Sequence, residues 1–206
     1  MTTKRKKLHA AHVVATMKMT TKRKNARVAA IQMISTTRIE ENLNTAAALI
    51  AEAVADGAEL VALPEYFPIM GRRDGDKIAA REVDGSGPIQ DFLADTACRH
   101  GIWVIGGSLP LVASVPDKVL NTCLVFNPQG VRVARYDKIH LFGFQKGEER
   151  YNESATIEPG RQPVTFDAPF GRVGLSICYD LRFPELFRAL GEIDLLVLPA
   201  AFTEVT

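Results

Sequence analysis

Three residues of unlike chemistry stand at or just beyond the C-terminal ends of apolar runs: Glu65 after 60–64, Lys138 after 131–137 and Cys178 after 173–177. In layered α/β proteins that rim is where sites assemble. A carboxylate, an ammonium and a thiol gathered there make a coherent set. The carboxylate could act as general base on the thiol, the ammonium could hold a thiolate or an oxyanion, and the thiol could attack a carbonyl or nitrile carbon. Cys178 falls at a sharp passage from strand to helix, so the N–H of Tyr179 is a ready oxyanion donor. Each residue also has a plainer reading. A lone cysteine ending a strand packs as a small core hydrophobe, a strand-terminal glutamate can be solvated, and a lysine beside Asp137 can form a surface ion pair.

The elements that would position these residues follow from the spacing of apolar side chains. Residues 27–34 read as a buried strand. Thr37 and Glu40 form a capping box for a helix with Leu43, Ala46, Ala47, Ile50 and Val54 on one face, closed by Gly57. Residues 58–65 are a second buried strand, and 71–77, rich in Gly, Arg and Asp, a loop. Gly87 and Pro88 open a helix carrying Ile89, Phe92, Leu93 and Ala97 inward, ended by Gly101. A third strand covers 102–110. Two hairpins follow, one around Asn127-Pro128-Gln129-Gly130 and one around Ala168-Pro169-Phe170-Gly171. A short helix beginning near Pro184 and a last strand over 193–201 complete the pattern. Alternating helices and buried strands predict an α/β layered fold with a mixed sheet.

The local contexts of the three residues carry a resemblance. Leu63-Pro64-Glu65-Tyr66-Phe67, Tyr136-Asp137-Lys138-Ile139-His140-Leu141-Phe142 and the segment from Cys178 through Tyr179, Asp180, Arg182, Phe183, Pro184 and Glu185 occur in this order at intervals of 73 and 40 residues. They resemble the three signature segments of the nitrilase superfamily, the carbon-nitrogen hydrolases, over about residues 27–206. The resemblance implies a four-layer αββα sandwich and a catalytic triad of Glu65, Lys138 and Cys178 that needs no cofactor and no metal. Tyr151-Asn152-Glu153-Ser154 is similar to the segment holding the family's supporting glutamate, which places that role on Glu153, with Glu148 and Glu149 close by. The Cys-Tyr-Asp form is similar to the branch that includes deaminated glutathione amidase and omega-amidase, and differs from the Cys-Trp-Glu of true nitrilases. Substrates of that branch carry carboxylates. Arg182 is therefore a candidate for binding substrate, with a salt bridge to Asp180 or Glu185 as its structural alternative, and Tyr179 joins it through its N–H.

The resemblance implies an amidase that releases ammonia from a small carboxylated amide, deaminated glutathione or the omega-amide of a 2-oxo acid, through a thioester on Cys178. The alternatives are a carbamoylase or nitrilase reaction of the same superfamily, or an inactive homologue serving as an interaction module. Against the family pattern the domain at 27–206 is expected to lack the last part of the fold, and a homodimer or larger assembly is expected where the full fold is present.

Composition agrees with a folded chain: 206 residues, 47% hydrophobic and 24% charged. No apolar run reaches the roughly 18 residues of a membrane span. Three widely spaced cysteines without a Cys-x-x-Cys pattern argue against a disulfide framework and point to a reducing cytoplasm. Residues 1–27 hold nine of the 25 Lys and Arg and no acid, leaving 16 basic against 24 acidic residues in the body. Such a body offers nucleic acid little to grip. The arm at 1–26, with its near repeat of Met1–Lys6 at Met19–Lys24, reads as a disordered extension.

Overall fold

The computed structural model describes residues 11–17, 25–146 and 149–202. Its main element is a seven-stranded mixed sheet. In chain order its strands are β1 (Ala11–Met17), β2 (Ala26–Gln32), β3 (Leu60–Ala62), β4 (Trp103–Ile105), β5 (Leu109–Val112), β6 (Val119–Phe126) and β7 (Arg132–Asp137). They lie in the order β1-β2-β3-β4-β6-β5, with β7 along the other side of β6. A hairpin of β8 (Gly143–Lys146) and β9 (Glu149–Asn152) stands apart, and β10 (Thr165–Ala168), β11 (Gly171–Leu175) and β12 (Leu195–Val197) form a second sheet. The helices are α1 (Ile39–Ala55), α2 (Asp74–Ala79), α3 (Pro88–His100) and α4 (Pro184–Ala189).

Neighbouring residues of a strand point to opposite faces, and in the large sheet both faces are apolar. Val61, Val104 and Leu124 join Ala46, Ile50 and Ala53 of α1 and Ile89, Leu93 and Ala97 of α3 in one core. Their chain neighbours Leu60, Ile105, Cys123 and Val125, with Tyr136, face Phe166, Val173, Leu175 and Ile177 in a second core between the sheets. Trp103 stacks on Phe166 across that gap, with ring centroids 5.7 Å apart. On the outer face of β11, a side chain at Gly174 would collide with Leu190 and Ile193, which close that face beside α4. Helices, sheet, sheet and helix make the four layers that the family resemblance implies. Among the described residues no helix is long and apolar enough to cross a membrane.

Several local expectations change. Residues 11–17, within the arm read as disordered, form a strand antiparallel to β2. The remainder of 1–24 lies outside the described residues. Thr37 does not cap α1; the helix follows Arg38, and Asn42 instead accepts from the Thr36 N–H at 2.8 Å and donates to the Thr36 and Pro68 carbonyls. With Asn42 turned inward, the buried face runs through Ala46, Leu49, Ile50 and Ala53, and Leu43, Ala47 and Val54 sit at its margin. The loop at 71–77 contains the start of α2, stabilised where Asp76 accepts from the amides of Arg72 and Arg73. The single strand at 102–110 is two strands. Both pair with β6, and the break between them falls at Gly106-Gly107, where Gly107 has φ +53° and a Cβ would come within 2.0 Å of the Pro64 carbonyl oxygen.

Candidate active site

That break shapes the loop that carries Glu65. Ser108, just past it, receives the Tyr66 amide on its hydroxyl at 2.9 Å and donates its own amide to the Pro64 carbonyl at 3.3 Å. Glu65 is therefore gripped on both sides as the chain leaves β3. Tyr66 adopts φ +50° and Cys178 φ +48°, the two non-glycine residues of the described chain in the left-handed region. Such a conformation costs on the order of 1–3 kcal/mol and persists only where its surroundings enforce it.

Lys138 follows β7 at the end of the β6–β7 hairpin, its amide bonded to the Asn121 carbonyl and its carbonyl to the Gly160 amide. Its side chain is 1% exposed. The ammonium donates to Glu65 Oε1 at 3.0 Å and to both oxygens of Glu153 at 2.9 and 3.1 Å. Burial disfavours the charged lysine, but the two carboxylates outweigh it and hold the ammonium above the usual lysine range. Two carboxyl groups share one ammonium in this buried cluster, which makes the remaining donors important. Asn121 Nδ2 donates to Glu65 Oε1 at 2.9 Å, the Ala201 amide to Glu65 Oε2 at 3.0 Å, and the Phe142 amide to Glu153 Oε2 at 2.8 Å.

Cys178 opens a 3-10 turn, Cys178–Arg182, three residues beyond β11. Its amide bonds the Pro199 carbonyl, and its thiol contacts the Ala201 carbonyl at 3.8 Å. Ala201 thus meets the Glu65 carboxylate through its N–H and the thiol through its C=O. Burial first, and then the charge of Glu65, push the Cys178 thiol up to about 12 against the opposing pull of Lys138. At neutral pH the resting thiol keeps its proton, so attack on a carbon centre requires a base, and Glu65 is the adjacent one.

The structure brings together Glu65, Lys138, Cys178 and Glu153 from four separate segments. Glu148 lies outside the described residues. The Tyr179 amide belongs to the first residues of the 3-10 turn, whose N–H groups have no acceptor within the turn itself. Its ring makes edge contacts with Phe142 and Phe183 at 5.1 and 5.4 Å. Arg182 is exposed. Neither proposed ion-pair partner holds it, because Asp180 bonds Tyr136 and His140 while Glu185 pairs with Arg188 at 2.9 Å. Surface hollows of about 830 Å³ beside Arg38, Arg72 and Arg73, and of about 270 Å³ beside Arg135 and Glu158, include none of the four clustered residues.

Sequence reasoning missed Asn121, fully buried with its Oδ1 unpartnered, and the amides of Phe142 and Ala201. Asn121 carried a weak signal, a polar residue opening the run 121–126, which is apolar from Cys123 onward. Backbone donors carry none, since every residue but proline has one.

Residues 27–203 match the family described as carbon-nitrogen hydrolase. Over 188 residues the chain is 38% identical to the deaminated glutathione amidase of Yersinia enterocolitica, and over 183 residues 38% identical to the omega-amidase of Homo sapiens. These matches cover 89% and 87% of the chain and 65% of each relative, so the chain spans somewhat under two thirds of their length. A solved Saccharomyces cerevisiae protein of branch 10 of the nitrilase superfamily superposes with a TM-score of 0.73 at 30% identity, covering 86% of this chain and 65% of that one.

Proposed function

Because the chain belongs to the carbon-nitrogen hydrolase family, we propose that it is a thiol amidase acting on linear amides, releasing ammonia from a small carboxylated substrate. The observation that carries this reading is the buried Lys138 ammonium held between Glu65 and Glu153, with the protonated Cys178 thiol beside it. Glu65 takes the thiol proton as sulfur attacks the amide carbon. Lys138 and the Tyr179 N–H stabilise the tetrahedral oxyanion. Glu65 returns the proton to the leaving nitrogen, ammonia departs, and a thioester on Cys178 remains. Water deprotonated by Glu65 then attacks the thioester, and the acid and the thiol are released. Glu153 holds Lys138 in place and keeps it charged throughout.

The relatives' names support a carboxylated amide such as deaminated glutathione or an omega-amide of a 2-oxo acid. The exposed and unpaired Arg182, four residues past the nucleophile, supports it as the group that binds the substrate carboxylate. A thiol nucleophile suits a reducing cytoplasm, and a homodimer or larger assembly is part of the same reading. The experiment is incubation with a panel of such amides, following ammonia release together with intact-protein mass. Ammonia with an acyl adduct on Cys178, both absent in Cys178→Ala, is the expected result. Turnover retained by Cys178→Ala removes the proposed nucleophile.

A further inference from the structure

Lys138 and Cys178 reach the site from different sheets, one after β7 and the other after β11. Much of what lies between the sheets is apolar side chains, and such packing is non-directional. A fully buried carboxylate supplies direction at this rim. Asp180, two residues beyond Cys178, accepts from the hydroxyl of Tyr136 at 2.6 Å, from the His140 amide at 3.0 Å and from the Ile177 amide at 2.8 Å, and lies 2.7 Å from His140 Nδ1. Tyr136 and His140 flank Lys138 by two residues on each side. Ile177 precedes Cys178, and the Asp180 amide bonds back to the Ile177 carbonyl. The same residue therefore ties the lysine segment to the nucleophile turn and braces the turn in which Cys178 takes its left-handed conformation. The ring of His140 is stacked on Phe183 at 3.7 Å, fixing the second tether from behind.

We infer that Asp180 is a positioning residue: through Tyr136, His140 and Ile177 it sets the distance between the Cys178 thiol and the Glu65–Lys138 pair. This rests on the amidase reading for its consequence in turnover, but not for its geometry. A fully buried carboxylate is costly to desolvate unless donors face it, and here the Tyr136 hydroxyl and the His140 and Ile177 amides do so from both segments. Asp180→Asn retains the shape while replacing an acceptor oxygen by a donor that faces donors, so the tethers on that side fail.

The test is carried out on the full chain with Asp180→Asn and with the milder Tyr136→Phe, each first checked by circular dichroism and thermal melting. Two quantities are read: kcat and KM for amide hydrolysis, and the rate of iodoacetamide alkylation at Cys178 as a function of pH, followed on the Cys178 peptide so that Cys98 does not contribute. In the wild type, alkylation still climbs at about pH 10, because burial, and then the charge of Glu65, keep the thiol protonated. In folded Asp180→Asn, kcat falls about 100-fold with KM within about threefold, the signature of a geometry felt in the transition state. Its alkylation profile moves to lower pH, because a thiol displaced from its buried place beside Glu65 loses part of what keeps it protonated. Tyr136→Phe moves both quantities in the same sense by about a tenth as much. An alkylation profile unchanged in either folded variant overturns the inference, whatever happens to melting temperature. If the wild type hydrolyses no amide, the amidase reading fails while the alkylation profiles still decide the role of Asp180.

Discussion

The helix-side core of the large sheet and the rim of its sheet-to-sheet side are built on opposite principles. On the helix side Ala46, Ile50, Ala53, Ile89, Leu93 and Ala97 pack against Val61, Val104 and Leu124 with no buried charge among them. At the rim of the sheet-to-sheet side, Glu65, Lys138, Glu153 and Asn121 are equally buried and are joined by directional bonds of 2.9–3.1 Å, and the buried Asp180 is held by the Tyr136 hydroxyl at 2.6 Å. Apolar packing tolerates small displacements, because its energy scales with area removed from water. A buried ionic cluster tolerates little, because each lost partner leaves a desolvated charge behind. The chain thus keeps a forgiving half that supplies stability and an exacting half that holds reactive groups. Substitutions in the exacting half are expected to cost both stability and catalysis, and those in the forgiving half stability alone.

The largest effect is expected at Lys138. Lys138→Ala leaves Glu65 and Glu153 facing each other in a dry site, costing on the order of 3–5 kcal/mol of stability and removing the cation proposed to stabilise the oxyanion. The loss of kcat is expected to be at least about 1,000-fold, read from ammonia release alongside a urea midpoint. A variant with near-normal kcat would end the proposed role. Leu93→Ala probes the forgiving half. Leu93 is fully buried and packs close to Gly106, so truncation should cost about 2–5 kcal/mol. Its kcat should stay within about threefold, measured below the lowered melting temperature. A catalytic loss comparable to that of Lys138→Ala would show that the halves are not separable.

The smallest effect concerns alkaline pH. Cys123 is wholly buried between the sheets, and burial pushes its thiol from 9.0 up to about 12. Above pH 9 the unfolded chain releases this proton while the folded chain retains it, so its contribution is complete below pH 9 and is lost as the pH rises toward 12. Cys178 shifts in the same direction. Stability by chemical denaturation should accordingly fall between about pH 9 and 10.5. Cys123→Ala, although less stable at neutral pH because of its cavity, should show a shallower decline. An unaltered slope would remove Cys123 as a source.

Much of this organisation is legible in the order of residues alone. Apolar periodicity locates α3, both hairpins and α4, because helix and strand periods differ and because Pro88, Gly101, Gly130 and Pro184 punctuate the chain where a backbone must start, stop or turn. The residue types at 65, 138 and 178 name a chemistry, since only a few side chains can act as base, cation or nucleophile, while Glu153 is pointed to by the family resemblance of its segment. What the linear order leaves open is everything carried by long-range partners. Thr37 and Glu40 have the spacing of a cap, yet Asn42 takes over because Pro68, 26 residues away, offers it a carbonyl. The apolar run 102–110 has the look of one strand, yet it breaks at Gly107 because the backbone before Glu65 presses against it. Asp180 has the appearance of a partner for Arg182, and the fold turns it inward to Tyr136 and His140. The sequence by itself thus determined which atoms could react and which segments would be helix or strand, because those depend on side-chain chemistry and local period. Only the tertiary structure decided the distances among them, because these are set by bonds between residues 15 to 136 positions apart.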